Sequence, residues 1–536
     1  MPIIISQIKL GIKASADDAI KKARQIVGKN AQYSIYKISL DARKQNDIKY
    51  VYSVFCDLED EAFEKKLCQK NQNISYIEPV ALNPVISNKK RDNNRRIVIA
   101  GFGPAGMFSA LILAEYGYCP IVLERGDCVE NRVKRVADFW GGGSLDTESN
   151  VQFGEGGAGT FSDGKLTTRI KDPLCRYVLE RFCEFGAPSE IMTKAKPHIG
   201  TDKLREIVKN IRERIISLGG EVRFLTKLDN IEISDGEIIS SFANGEKIDT
   251  EALILSIGHS ARDTFEMLLK SGIFIEPKPF SVGFRIEHSQ YDVNRSLYGK
   301  LADNTVDKGG VLPIGEYQLS YREKSGRAAY TFCMCPGGYV VPSSSEEESV
   351  VTNGMSEFAR NSENANAAVV ASVSPDDFGK NPLDGVMFAR QIERKAFELS
   401  GKSYKAPACN VGDFLEDKTP IAIDTSSVTP SYAIGVEPCR LSELYPKAVT
   451  DMLKTGLLKF SSQMKCFGDK SAVLTAPETR TSSPVRITRG EELSSVSVKN
   501  LYPSGEGAGY AGGIMSAAVD GIRCALKVME NYPPYK

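Results

Sequence analysis

The residues best placed to do chemistry in this chain of 536 residues are a set of glycines and one acid at a fixed spacing. Gly101-Phe102-Gly103-Pro104-Ala105-Gly106 has the form G-x-G-x-x-G, and Glu124 follows 18 residues after Gly106. In such a turn the first glycine permits the sharp bend. The second lets the backbone approach a pyrophosphate with no Cβ in the way, and the third lets the following helix pack close to the preceding strand. The helix N-terminus offers free N–H groups and a partial positive charge to the phosphates. A carboxylate at Glu124 can accept hydrogen bonds from the ribose hydroxyls of an adenosine and repels a 2′-phosphate, which favours FAD or NAD over NADP.

Other side chains could act on a substrate. Cys333 and Cys335 lie in Cys-Met-Cys-Pro-Gly-Gly. Strand alternation puts both thiols on one face, for dithiol chemistry or simply as small packed hydrophobes. The three histidines are His198, His259 and His288. Each could protonate a substrate or be a hydrogen-bonded structural ring. Arg480, in Glu478-Thr479-Arg480, and Arg285, in Arg285-Ile286-Glu287-His288, could clamp a carboxylate substrate. The alternative is a buried ion pair with Glu478 or Glu287. Of these groups, Arg480, His288, Cys333 and Cys335 are the catalytic candidates. The twelve cysteines have no paired metal-ligand spacing, so no metal site is expected.

These groups need elements to hold them. Ile97–Ala100 is a short β-branched run typical of a buried parallel strand. Met107–Tyr116 has helical apolar spacing with Gly117 placed to cap it, and Ile121–Leu123 is a second buried strand. The glycine pattern occurs twice more, at Gly154-Gly156-Gly159 and Gly507-Gly509-Gly512. The middle match runs into Thr160-Phe161-Ser162-Asp163-Gly164, which is no helix start, and the last lies too near the C-terminus for a further strand and acid. Only the first has the strand, turn, helix, strand and acid of a dinucleotide-binding unit. The glycine-dense stretch from Gln152 to Lys165 reads as a wall brought close to a flat or anionic ligand.

The remaining segments follow from period and punctuation. Strands at Ile3–Leu10, Tyr33–Leu40, Tyr50–Asp57 and Ser75–Ile77, with helices from Ser15 to Val27 and from Glu61 to Lys70, give a β-α-β-β-α-β order and a ferredoxin-like α+β domain over 1–85. The charged run Asn88–Arg96 reads as a hinge, with a linker over 86–96. Helices are expected at Val129–Phe139, Lys203–Leu218, Met387–Leu399, mostly through Leu441–Phe460, and at Ile514–Met529. Strands are expected at Glu221–Lys227, Leu253–His259, Phe280–Ile286, across Tyr317–Val341 and at Leu501–Pro503, and Ser343–Ser349 as an exposed turn. The first part of a nucleotide-binding domain then spans 97–270, a substrate or cap domain 271–475, and the closing part of the first domain 476–536. A helix N-terminus near Ile514 could face the electron-rich edge of a reduced flavin.

The length needs two to four domains. Hydrophobic residues are 42% and charged residues 25%, ordinary for a soluble globular enzyme. Lys+Arg and Asp+Glu are 68 each, which argues against nucleic acid as a partner drawn by bulk charge. The first ten residues have no signal-peptide pattern and no window is apolar enough to span a membrane, so a cytoplasmic protein with reduced thiols is expected.

The stretches GFGPAGMFSALILAEYG, NVQFGEGGAGTFSDGKLTTRI, KPHIGTDKL, IGHSARDTFEML, TFCMCPGGYVV, ETRTSSPVRI and LYPSGEGAGYAGGIMSAAVDGIR resemble the glutathione-reductase-type FAD-dependent oxidoreductases with one dinucleotide fold, nearest to a bacterial group of uncharacterised FAD-dependent dehydrogenases. The likeness covers about residues 95–530. It implies an α/β chain: a Rossmann-like FAD-binding domain with an inserted α+β substrate domain. It implies extended FAD, with Gly101, Gly103, Pro104, Ala105 and Gly106 at the pyrophosphate and Glu124, beside Arg125, at the adenosine ribose. Gly156, Gly157, Ala158, Gly159 and Thr160 would line the flavin, Leu228 would reach the adenine through its backbone, and Gly258 would pass beneath the cofactor. Gly505, Glu506, Gly512, Gly513 and Ile514 would close the site, with Glu506 in place of the usual Asp at the ribityl or pyrophosphate. The implied reaction moves a hydride or electron pair between a small organic substrate and flavin. NAD(P)H is a possible external donor, though no second dinucleotide domain is found. A redox partner and a homo-oligomer are possible. Two rivals stand beside it: a flavin-dependent enzyme modifying tRNA or another nucleic acid, and a non-catalytic FAD-binding scaffold or sensor.

Overall fold

The computed structural model describes residues 2–28, 31–58, 60–78, 80–90 and 94–535. The N-terminal strands form one antiparallel sheet in the order Gln32–Asp41, Lys49–Asp57, Ile3–Gly11, Ile74–Tyr76, with helices Ala16–Val27 and Glu61–Lys70 between them in the chain. That is the ferredoxin-like arrangement. The first helix is set by its ends. Ser15 accepts from the Asp18 N–H while the Asp18 carboxylate accepts from the Ser15 N–H, and Gly28 ends the helix at φ 73°. Ala19, Ala23 and Val27 fall on one stripe and bury against Ile3, Ile5, Ile8 and Val54. Ser15→Ala is expected to cost about 1 kcal/mol locally. Amide hydrogen exchange within Ala16–Val27 should then quicken by about fivefold.

A second sheet carries the dinucleotide pattern. Glu221–Arg223, Ile121–Leu123, Arg96–Ala100 and the end of Glu246–Leu255 lie side by side in parallel, and Leu501–Pro503 adds to Glu246–Leu255 in the same direction. The two faces of this sheet belong to separate apolar clusters. Ile97 and Ile99 pack with helices Pro104–Glu115 and Ile514–Asn531, while Val98 and Ala100 pack with Phe265, Leu268 and Val485. The start of Glu246–Leu255 instead pairs antiparallel with Glu237–Ala243 through a two-residue turn. Asn244 (φ 49°) and Gly245 (φ 80°) supply the left-handed pair that such a hairpin turn needs.

A third sheet, in the order Ser320–Arg322, Ala328–Cys335, Asn364–Val373, Phe280–Ser289, Val473–Glu478, Ala406–Asn410, Val436–Pro438, holds the centre of the chain. Helices Asp384–Leu399 and Lys447–Gln463 contribute to the apolar cluster against this sheet. Its strands fall in sequence between Glu246–Leu255 and Leu501–Pro503, so the chain leaves the nucleotide sheet and comes back to it.

Several local expectations are corrected. The strand expected at Glu221–Lys227 stops at Arg223, because Leu225 (φ 51°) turns the backbone and its N–H, with that of Thr226, bonds to the carbonyls of Gly126 and Glu124. The one expected at Leu253–His259 starts at Glu246 and ends at Leu255, with Gly258 (φ 73°) in the loop that follows. Tyr317–Val341 is three strands, and the last, Tyr339–Pro342, pairs with Thr352–Met355 in a separate ribbon. The strand Val473–Glu478 runs across residue 475 and belongs wholly to the third sheet. The 343–349 turn is exposed only at its middle: Glu347 and Glu348 face solvent, while Ser343, Ser344, Ser345 and Ser349 are buried. The Ser344 and Ser349 hydroxyls donate to the carbonyls of Ser349 and Glu346, and Ser343 accepts from the Gln152 amide, so these hydroxyls are satisfied inside the protein. The hinge around 86–96 is pinned in part: Ser87 N–H bonds to the Met529 carbonyl and Lys89 to that of Asn531, while Arg91, Asp92 and Asn93 lie outside the described residues.

Candidate functional site

The first glycine turn is walled by backbone at Gly101 and Gly106. The Gly101 N–H bonds to the Leu123 carbonyl at 2.7 Å. Gly101 has φ 95°, and a Cβ there would lie 2.3 Å from the Ser256 carbonyl oxygen. A Cβ at Gly106 would lie 1.9 Å from the carbonyl oxygen of Gly101. Across from this turn stands a second one. Gly156 and Gly157 have positive φ, and a Cβ on Gly157 would reach within 3.1 Å of the Gly103 Cα. Pro104, Gly156, Gly159, Thr160 and Ile514 line one cleft. Two helices, Pro104–Glu115 and Ile514–Asn531, begin at its edge, and neither N-cap, Gly103 or Gly513, has a side chain to cap the first-turn N–H groups. Those donors and the two helix dipoles are free to face an anion. The helices sit close enough that a Cβ on Gly521 would meet the Ala105 carbonyl at 2.1 Å.

Glu124 joins these turns. Its carboxylate accepts from the N–H groups of Phe102 (2.8 Å), Gly126 (2.9 Å) and Gly154 (2.9 Å). Arg125 turns to other work: its guanidinium pairs with Glu148 and Asp263 and lies 4.0 Å over the Phe153 ring. Leu228 is buried at the start of Leu228–Ser234. Gly258 supports the late loop, since a Cβ on Gly507 would lie 2.3 Å from the Gly258 carbonyl oxygen. Gly505 is held by Asp520, which accepts its N–H at 2.7 Å, while Gly512 and Gly513 have open space around them.

Glu506 lies beside His259. Its Oε1 lies 3.9 Å from Nε2 of His259, and it shares its surroundings with Lys278 and Cys333. Burial pushes its carboxyl up to about 8 against the pull of Lys278. His259 is held neutral, its pKa pushed down to about 3 by burial and the nearby Arg480 and Arg262. Its Nδ1 bonds to the Ser260 hydroxyl, which also accepts from Arg480 at 2.7 Å.

Cys333 faces this group from the third sheet. Neither arginine offered as a carboxylate clamp is free to act as one. Arg480 pairs with Glu393 rather than Glu478 or Glu287, at 3.0 Å. Arg285 is the partner of Glu478, at 2.8 Å, and also donates to the Cys333 carbonyl, Asn353 and Asn366. His288 lies in an aromatic box, 4.8 Å from Phe467 and 6.4 Å from Tyr317, and neither ring nitrogen has a hydrogen-bond partner among the described residues. Burial lowers its pKa to about 4. An uncharged ring in such a box is a packing element, which removes the reason to expect proton transfer there. His198 stacks on Phe358 and bonds to its carbonyl.

Three further groups shape the site. The fully buried Arg132 donates to the carbonyls of Asn150, Val151, Glu155 and Gly157 and so moulds the glycine wall. Asp163 accepts two bonds from Arg360 and one from Ser356, fixing the end of that wall to the third sheet's domain. Glu393 holds Arg262 in a bidentate pair at 2.8 Å, together with Arg480 and Thr479. The sequence carries a sign of two of them. Arg132 follows the stripe Val129, Val136, Phe139, and Glu393 the stripe Val386, Ala389, Ala396, so each is a charge on an apolar helix face.

Residues 279–481 match a family described as "FAD-dependent protein, C-terminal domain-like". Over 508 residues the chain is 48% identical to an uncharacterized protein of Clostridium beijerinckii, covering 94% of this chain and 93% of that one. Among solved structures, a glycine oxidase of Bacillus cereus is 9% identical with a TM-score of 0.32, covering 82% of this chain and 97% of its own. NikD, an amino acid oxidase of nikkomycin biosynthesis, is 11% identical with a TM-score of 0.36, covering 82% and 95%. Among the described residues no helix is long and apolar enough to cross a membrane, and no group of three or more His, Cys, Asp and Glu could hold a metal ion.

Proposed function

We propose, since the chain belongs to one family with the Clostridium beijerinckii protein and carries a domain of the FAD-dependent kind, that it is an oxidoreductase using bound FAD to exchange an electron pair with a small organic substrate. The observation that carries this reading is the cleft where two uncapped helix N-termini meet two glycine turns. The residues fit the group: the uncapped N-termini of the Pro104 and Ile514 helices would supply donors to a pyrophosphate, and Gly512 and Gly513 have open space beside them. Glu124 sets the turn and would meet the adenosine ribose, and Gly156–Thr160 would line the ring. When bound, FAD supplies the capacity to take up and return two electrons.

The chain's own part is positioning and proton handling. Glu506 carries a proton at neutral pH by virtue of its burial, and His259 is a neutral acceptor beside it. Lys278 brings positive charge beside Glu506, which suits an anionic substrate. NAD(P)H is the electron donor we favour testing first. The protein as purified should be yellow, release FAD on denaturation, and bleach in a stopped flow with NADH, NADPH or one member of a metabolite panel. A folded protein that is colourless and takes up no added FAD overturns the reading. A bound flavin that nothing reduces would favour a scaffold or sensor.

A further inference from the structure

The strand Ala328–Cys335 is irregular where its two cysteines lie. Phe332 pairs with Ala368, but Cys335 pairs with Asn366, so three steps on one strand match two on its neighbour. The extra residue is absorbed at Cys333, which has φ 40°. In a regular strand the Cα atoms of residues two apart lie about 6.5–7 Å from one another, at the limit of what a disulfide spans. The Cys335 thiol folds back along this bulge and donates to the Cys333 carbonyl at 3.4 Å.

Around them the setting is asymmetric. Cys333 is partly exposed and Cys335 is buried. Arg285 donates to the Cys333 carbonyl at 2.9 Å, and Lys165, Asp163 and Glu506 are the other charged groups near Cys333. The absence of a side chain at Gly354 lets Arg285 and Cys335 pack against it, since a Cβ there would lie 2.9 Å from the Cys335 sulfur and 2.4 Å from Nη1 of Arg285. The buried Asn366 side-chain nitrogen and Tyr317 hydroxyl, on the same side, have no hydrogen-bond partner among the described residues. The Cys335 thiol, Arg285 and Lys165 outweigh burial and hold the Cys333 thiol below its usual range, while Cys335 is pushed up. Cys68, Cys128, Cys175 and Cys183, which are also partly exposed, are all raised by burial.

We propose that Cys333 and Cys335 form a hydroperoxide-reactive dithiol, with Cys333 the attacking sulfur and Cys335 the resolving one. The Cys333 thiolate attacks the distal oxygen of ROOH. The O–O bond breaks, a sulfenic acid forms on Cys333, and RO⁻ leaves as ROH with a proton from solvent. The Cys335 sulfur then attacks the Cys333 sulfur. The S–O bond breaks, water leaves with the Cys335 proton, and a Cys333–Cys335 disulfide remains. Two thiols are oxidised by two electrons and one peroxide is reduced. The partly covered position of Cys333 suits a small oxidant over a bulky disulfide, and the step does not depend on the flavin reading.

The test treats the full-length protein as purified with hydrogen peroxide at pH 7 and maps its cysteines by mass spectrometry. The wild-type protein should form the Cys333–Cys335 disulfide about tenfold or more faster than any other cysteine is oxidised, because an ordinary thiol is only a few per cent thiolate at that pH. Cys335→Ser should instead yield a dimedone-trapped sulfenic acid on Cys333. Cys333→Ser should show neither product, and Cys335→Ala repeats the trapping if the serine variant does not fold. Oxidation spread evenly over the half-buried cysteines, or no dimedone adduct on Cys333 in either variant, overturns the proposal. Equally fast reaction of Cys333 with the bulky disulfide of Ellman's reagent overturns the choice of oxidant.

Discussion

Gly106→Ala is expected to leave the protein without flavin and less stable by about 3 kcal/mol. The added methyl has nowhere to go. It would sit 1.9 Å from the Gly101 carbonyl oxygen, which belongs to the same turn, and near the Ile99 side chain at 3.3 Å. Relief requires the helix Pro104–Glu115 to move away from the strand Arg96–Ala100, and the same movement carries its N-terminus out of the cleft. Gly512→Ala is the matched control. Nothing lies within 4 Å of a Cβ at that position, so the change should stay within about 0.5 kcal/mol. Urea unfolding and the ratio of visible flavin absorbance to protein check both variants. A Gly106→Ala protein with normal stability and full flavin would show that the turn is not the clasp described above.

Glu393→Ala should destabilise the protein by about 3–5 kcal/mol, because it strands two buried guanidinium groups, Arg262 and Arg480, at one point. Glu393 itself has no exposed side chain. Its loss also frees the Thr479 hydroxyl and loosens the tie between helix Arg262–Lys270, next to the nucleotide sheet, and helix Asp384–Leu399, which packs on the third sheet. The sign with pH follows from the carboxyl. Burial raises it, but Arg262 and Arg480 together outweigh that and hold it below its usual range. Its contribution is therefore full above the unfolded-chain value of about 4.3 and is lost as the pH falls through the lower folded value. Thermal melts carried below about pH 4.3 should show the wild-type protein losing stability that Glu393→Gln no longer has to lose. If the two melt in parallel, the carboxylate charge is not what the arginines need.

Much of the candidate site was legible because its signals are local. A turn of Gly101, Gly103 and Gly106 between a β-branched run and an apolar helix has few other physical uses, and in the structure backbone leaves no space for a side chain at Gly101 or Gly106. The ferredoxin-like order was legible for the same reason: Ser15, Gly28 and the alternating strands each act over a few residues. The side-chain partners were not. Arg480 and Arg285 each stood beside an acid in the sequence, yet Arg480 reaches Glu393, 87 residues away, and Arg285 reaches Glu478, 193 residues away. The serines of the 343–349 turn read as exposed because composition says nothing of a hydroxyl such as that of Ser343 being met by Gln152, 191 residues away.

By itself the sequence determined the parts whose cause is short-range: backbone freedom at glycine, capping at helix ends, and the periods that sort strand from helix. Only the tertiary structure decided which charges meet, which thiol is left half-open on a bulge, and which acid comes to lie beside His259. Those outcomes depend on burial and on separation in space, and a Coulomb interaction or a desolvation cost is blind to how far apart two residues lie along the chain.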